Sequence, residues 1–143
     1  MKNPDSTLLE QIYKEGTFAI PTQGRYKIYV YLQKQWVNIL EKSIELTDSG
    51  LKGNNHLPIF LARYKNVPYM DFEVVPNRRT NEIWLVYKNG VIIDALKYIK
   101  KFDAWLGKLY WEGRFVFYFW FIPNYQKTEV NVLMEKIKKD GEV

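Results

Sequence analysis

Three carboxylates and a lysine recur at alternate positions in one short stretch of this chain: Asp71, Glu73, Glu82 and Lys88. Carboxylate oxygens that converge on one patch can hold a hard divalent cation such as Mg²⁺ while leaving positions for water and a phosphate oxygen. Asp71 and Glu73 are the predicted metal ligands and Glu73 the leading catalytic carboxylate. Lys88 is placed to stabilise charge that develops on a phosphoryl group. Arg78 and Arg79 lie between the two acidic runs, and Lys97, Lys100 and Lys101 follow closely. All five are candidate phosphate contacts on either side of the acids.

Residues 69–88 must position these groups, and their pattern is that of an antiparallel hairpin around a Pro/Asn/Arg/Thr turn. Alternation puts Met70, Phe72, Val74, Ile83 and Leu85 on one face and the charged residues with Trp84 on the other. With Pro76–Asn81 as the loop, Val75 faces Glu82, Glu73 faces Trp84 and Asp71 faces Val86. A solvated antiparallel face carries the same mixture of charges without any chemistry, so that plainer reading stands beside the metal site. The Asp and Glu-x-Lys motif of restriction-endonuclease-like nucleases is not met, because residue 84 is Trp.

Composition narrows the chemistry further. The chain has 143 residues, no cysteine and one histidine, His56. Thiolate sites, disulfides and histidine-pair nucleases are excluded. The formal charge of +5 favours acidic partners, with nucleic acid first. Aromatic residues make up 17% of the chain, more than a core of this size needs, so some are expected to anchor a partner or stack on bases. Trp84, Tyr87, Trp105 and Trp111 are the candidate anchors. The longest apolar run, Phe115–Pro123, is too short to span a bilayer, and residues 1–15 are polar and amphipathic. An intracellular protein with no membrane partner is expected.

Periodicity predicts a single α+β domain over 1–143, a mainly antiparallel sheet with helices packed on it. Helices are expected over 8–14, from Gln33 to about Leu46, from near Asn55 or His56 with Pro58 in the first turn, over 95–106 and over 127–139. Asp94 is read as the cap of the fourth helix and Gly107 as its stop. Strands are expected at Arg25–Leu32, in the hairpin, after the Asn89-Gly90 turn and at Arg114–Phe121, with 47–56 as a loop. The last strand is bulky on both faces and is therefore predicted to be buried rather than a base-stacking platform.

In being small, basic, cysteine-free and rich in Tyr and Lys, the chain resembles the proteins of filamentous viruses that infect hot-spring archaea. It is similar in size and style to the small nucleases of the lipothrix-type viruses. That resemblance implies an α+β fold, carboxylate-dependent cutting of DNA in the host cytoplasm, and an essential acid for which Glu73 is the first choice. Sequence and resemblance together predict a Mg²⁺-assisted endonuclease acting on double-stranded DNA. Two alternatives stay open: a non-catalytic nucleic-acid-binding protein, and a virus-encoded protein-interaction module or homodimer built on surplus aromatic surface.

Overall fold

The computed structural model describes residues 3–56, 71–87 and 90–140. A helix α1 (Ser6–Glu15) precedes eight strands: β1 (Gly24–Leu32), β2 (Gln35–Thr47), β3 (Gly50–His56), β4 (Asp71–Asn77), β5 (Glu82–Tyr87), β6 (Ile92–Ile99), β7 (Ala104–Trp111) and β8 (Arg114–Pro123). A helix α2 (Val130–Asp140) follows. Each strand pairs antiparallel with the next, and β1 pairs with β8, from Tyr26↔Pro123 to Val30↔Phe119. The sheet is therefore closed on itself, and each strand has a neighbour on both sides among the described residues. Among the described residues no helix is long and apolar enough to cross a membrane.

Strand alternation sorts the side chains. Tyr26, Ile28 and Val30 of β1, Phe72 and Val74 of β4, Ile83, Leu85 and Tyr87 of β5, and Phe119 and Phe121 of β8 fill the barrel. Trp105 and Tyr26 meet Phe121 in one ring cluster, with Tyr26 stacked on it at 4.3 Å and Trp105 edge-on at 5.9 Å. Phe18 and Ala19, from the segment before β1, pack against this interior, and Trp105 Nε1 donates to the Ala19 carbonyl at 2.8 Å. That segment covers the end of the barrel carrying the β2–β3, β4–β5 and β6–β7 turns.

A second core lies outside the barrel. Leu9, Ile12 and Tyr13 of α1 and Val130, Met134 and Ile137 of α2 are buried with Trp36, Ile99, Leu106, Tyr118, Trp120 and Ile122. Burying side chains of this size stabilises by about 1.5–3 kcal/mol each. This second core explains why β8 is bulky on both faces: one face fills the barrel and the other carries the helices. Two bulges set which residues go where. Ile28 pairs with Leu40 but Tyr29 with Asn38, leaving Ile39 as an extra residue in β2. The extra residue reverses the alternation, so Lys42 and Ile44 point inward while Trp36 points to the helices. Val116 is the extra residue in β8. Asn131 of α2 then holds the Trp36 backbone, accepting from its N–H at 2.8 Å and donating to its carbonyl at 3.0 Å.

The closed barrel overturns the expected α+β architecture. The helix expected from Gln33 to Leu46 is β2, and the one expected over 95–106 is the β6–β7 hairpin, interrupted only by a 3-10 turn at Lys100–Phe102. Asp94 sits within β6 and caps nothing, and Gly107 lies in mid-strand rather than at a helix end. The loop expected over 47–56 is a two-residue turn at Asp48-Ser49 followed by β3. The helix expected to start near Asn55 or His56 does not start there, because β3 runs through His56, and the rest of its span falls outside the described residues. The terminal helices and the strands at Arg25 and Arg114 agree with expectation, but the expected burial of the last strand holds only from Tyr118 onward, because Phe115, Val116 and Phe117 run beyond the helices and are exposed.

Two glycines let bulky rings lie flat on the barrel wall. Gly53 pairs with Phe72 and Gly107 with Phe119, and a Cβ at either position would meet the partner ring. Overpacking of this kind costs about 1–3 kcal/mol. Gly107→Ala is therefore expected to lower the urea midpoint by a corresponding amount with the m-value unchanged. An unaltered midpoint would show that the Phe119 ring is not confined against the wall.

Candidate functional site

The interior holds a polar cluster in otherwise apolar surroundings. Lys42 of β2 and Asp94 of β6 are 4% and 1% exposed, the only charged residues so buried among the described ones. Each occupies an inward position where its strand neighbours are apolar, Leu40 and Ile44 beside Lys42, Ile92 and Leu96 beside Asp94. Lys42 Nζ lies 3.5 Å from Asp94 Oδ2 and donates to Asn55 Oδ1 at 2.6 Å. It also donates to the Tyr87 hydroxyl, which in turn donates to Asp94 Oδ2 at 2.9 Å. The rings of Phe72 and Tyr87 face the ammonium at 5.3 and 5.0 Å. Asp94 Oδ1 is buried and has no hydrogen-bond partner among the described residues.

Burial decides the protonation chemistry. Desolvation pulls Lys42 below the ordinary lysine value and pushes Asp94 above the ordinary carboxylate value, while their mutual attraction opposes both shifts. The two proton affinities thus converge. Burial and the negative charge of Asp94 raise Tyr87 well above the usual phenol value, keeping it protonated as a donor. Against this cluster lies a cavity of about 140 Å³, whose remaining wall is apolar: Ile28, Val30, Ile39, Leu109, Phe117 and Phe119 are among its lining residues.

The acidic hairpin is arranged differently from its sequence expectation. Asp71 and Glu73 are exposed on the outer face of β4, as alternation predicts. The register is displaced by two residues, with Glu73 opposite Val86, Val75 opposite Trp84 and Asn77 opposite Glu82. A two-residue displacement preserves which face each side chain takes but separates the acids. Glu82 lies four residues along β5 from the partner of Glu73, roughly 13 Å of strand. There it accepts from the Tyr13 hydroxyl at 2.6 Å and Trp84 Nε1 at 3.0 Å, fastening α1 to the barrel. Glu73 pairs with Lys52 at 4.0 Å, and the Asn54 amide can donate to Asp71. Among the described residues no three His, Asp or Glu side chains are placed to share an ion. Lys88 lies outside the described residues.

The basic candidates divide into two places. Arg78 and Arg79 sit in the β4–β5 turn and Lys100 and Lys101 in the β6–β7 turn, all exposed at one end of the barrel. The Arg78 guanidinium lies 4.0 Å over the Phe18 ring. Lys97 instead lies on the outer wall of β6, beside the Tyr13 ring at 5.2 Å. Of the expected aromatic anchors, Tyr87 and Trp105 are buried inside the barrel, Trp84 is half-buried, and only Trp111 is exposed. His56 bonds Ser43 Oγ through Nε2 at 2.7 Å across the β2–β3 pair. The inward Lys42, Asp94 and Tyr87 were not singled out from the sequence as a site. Their available signal was a charged residue inside each of two apolar alternations.

Breaking a buried pair leaves an uncompensated charge and costs about 3–5 kcal/mol. Lys42→Met and Asp94→Asn are each expected to lose that much at neutral pH, with opposite pH dependence. In Asp94→Asn the lowered lysine binds fewer protons folded than unfolded, so stability rises as pH rises towards the ordinary lysine value. In Lys42→Met the raised carboxyl binds more protons folded than unfolded, so stability falls as pH rises above the ordinary carboxylate value. Denaturation midpoints across pH check this, and parallel slopes in the two variants would contradict it.

No protein-family description, curated protein or solved structure matches this chain.

Proposed function

We propose that the barrel binds one small, largely apolar molecule whose single polar end rests against Lys42, Tyr87 and Asp94. The observation that carries this reading is Asp94 Oδ1, a buried acceptor with no hydrogen-bond partner among the described residues, on a residue that forms the polar wall of the cavity with Lys42, Asn55 and Tyr87. A buried acceptor left unsatisfied costs about 1–3 kcal/mol, which an O–H or N–H donor on a ligand removes. Barrels of eight strands are just wide enough to be filled by side chains or to hold one small ligand. This interior is filled at the Trp105 end and hollow beside Lys42.

Size limits the ligand. An apolar cavity of roughly 150 Å³ takes benzene, whereas drug-sized ligands occupy about 300–1,000 Å³. The 140 Å³ here suits a ring or short chain with one polar substituent. Phenol combines both requirements, and toluene has the shape without the donor. A ligand at a hundred times its dissociation constant stabilises the fold by about 2.7 kcal/mol. Phenol is expected to raise the denaturation midpoint more than toluene at equal concentration. Leu109→Trp, which fills the cavity from its wall, is expected to abolish both effects. If neither compound moves the wild-type midpoint, the binding proposal fails.

A second reading retains metal-assisted cutting of duplex DNA. What favours it is that Asp71 and Glu73 stand exposed side by side, lining with Lys52 a shallow groove of about 390 Å³. Glu73 and Asp71 would be the Mg²⁺ ligands and Arg78 and Arg79 phosphate contacts. Incubation of the protein with linear duplex and Mg²⁺ decides it: cleavage by wild type and none by Glu73→Ala supports the reading, and equal cleavage by both removes it. DNA affinity that falls steeply with salt and needs no metal instead marks simple phosphate binding.

A further inference from the structure

We infer that Lys42 captures a small aldehyde or ketone in the barrel cavity as a protonated imine, with Asp94 as its counter-ion. This rests on the cavity-binding reading and adds a covalent step to it. Lys42 is itself part of the cavity wall, so a carbonyl compound of ring size enters next to its amine.

The surroundings of Nζ account for each proton. Three acceptors face the ammonium: Asn55 Oδ1, the Tyr87 hydroxyl and Asp94 Oδ2. For attack, one ammonium proton passes to Asp94, directly or through Tyr87, whose hydroxyl bridges the two groups. The shifts of Lys42 and Asp94 towards each other make that transfer small in free energy. The Nζ lone pair forms the C–N bond as the carbonyl π pair moves to oxygen. The oxygen collects two protons, one by way of Asp94 and one from the attacking nitrogen, and leaves as water when C=N forms. One N–H remains on nitrogen, facing Asp94. The sum is an ammonium and a carbonyl giving an iminium and water, with no oxidant or reductant.

One feature favours this outcome over simple binding: the positive charge stays in place, so condensation adds no uncompensated charge to the core.

Benzaldehyde with sodium cyanoborohydride tests the inference, because reduction fixes any imine as a benzylated lysine that peptide mass mapping locates. A lowered lysine pKa enlarges the free-amine fraction at neutral pH. Labelling of folded protein is expected to reach one group per chain at Lys42 before exposed Lys127 is appreciably labelled. Benzyl alcohol, of the same shape without the carbonyl, is expected to protect Lys42, and Leu109→Trp to prevent its labelling with the lysine still present. If Lys42 labels no faster than Lys127 while both compounds raise the denaturation midpoint, the imine is wrong and the cavity reading survives. If neither labelling nor stabilisation occurs, both are wrong.

Discussion

One ion pair across a closed barrel constrains most of what this chain does. Lys42 and Asp94 come from β2 and β6, strands that are not neighbours in the sheet. They meet only when the barrel has curled until its walls face each other. Removing both charges from water is expensive, and attraction offsets that cost only where geometry and supporting hydrogen bonds are good. Tyr87 and Asn55, from β5 and β3, supply the support. Four strands must therefore be in register for the cluster to be tolerated, so it discriminates strongly against alternatives that slip one strand by a residue.

The same pair explains how the sequence misled. In β2, the inward Lys42 and the extra residue Ile39 broke the two-residue alternation, leaving Trp36, Val37, Leu40 and Ile44 at helix-like spacing. In β6, Asp94 stood before an apolar stretch and took on the appearance of a helix cap. Each misreading came from a polar residue placed where a strand should be apolar. Those positions are the polar part of the candidate cavity site. Where no such conflict exists, as at Tyr26–Val30 and from Tyr118 to Phe121, local pattern and fold agree.

The acidic hairpin teaches the complementary lesson. Alternation assigned the faces of β4 and β5 correctly, because a displacement by two residues leaves them intact. It could not fix the distances along the sheet, which depend on where the turn falls. Asn77 settles that through its side chain, which accepts from the Arg79 and Thr80 N–H groups and draws the turn tight around 78–81. A short turn lets β4 run on through Pro76 and Asn77, and Glu82 is carried away from Asp71 and Glu73. Asx-type turns of this kind are visible in sequence only as an Asn among polar residues.

The pairing of β1 with β8 has a consequence for how the molecule is made. The seam joins residues near position 28 to residues near position 121, so the first strand waits for the last before it gains its second neighbour. During synthesis the growing sheet carries two bare margins, β1 with Ile, Val and Tyr side chains and β7 with Leu, Tyr and Trp, for as long as β8 is still within the ribosome. Contacts this distant in sequence slow folding and prolong exposure to self-association. Nascent chains of this protein are thus at greatest risk of clumping in the interval just before the final strand emerges.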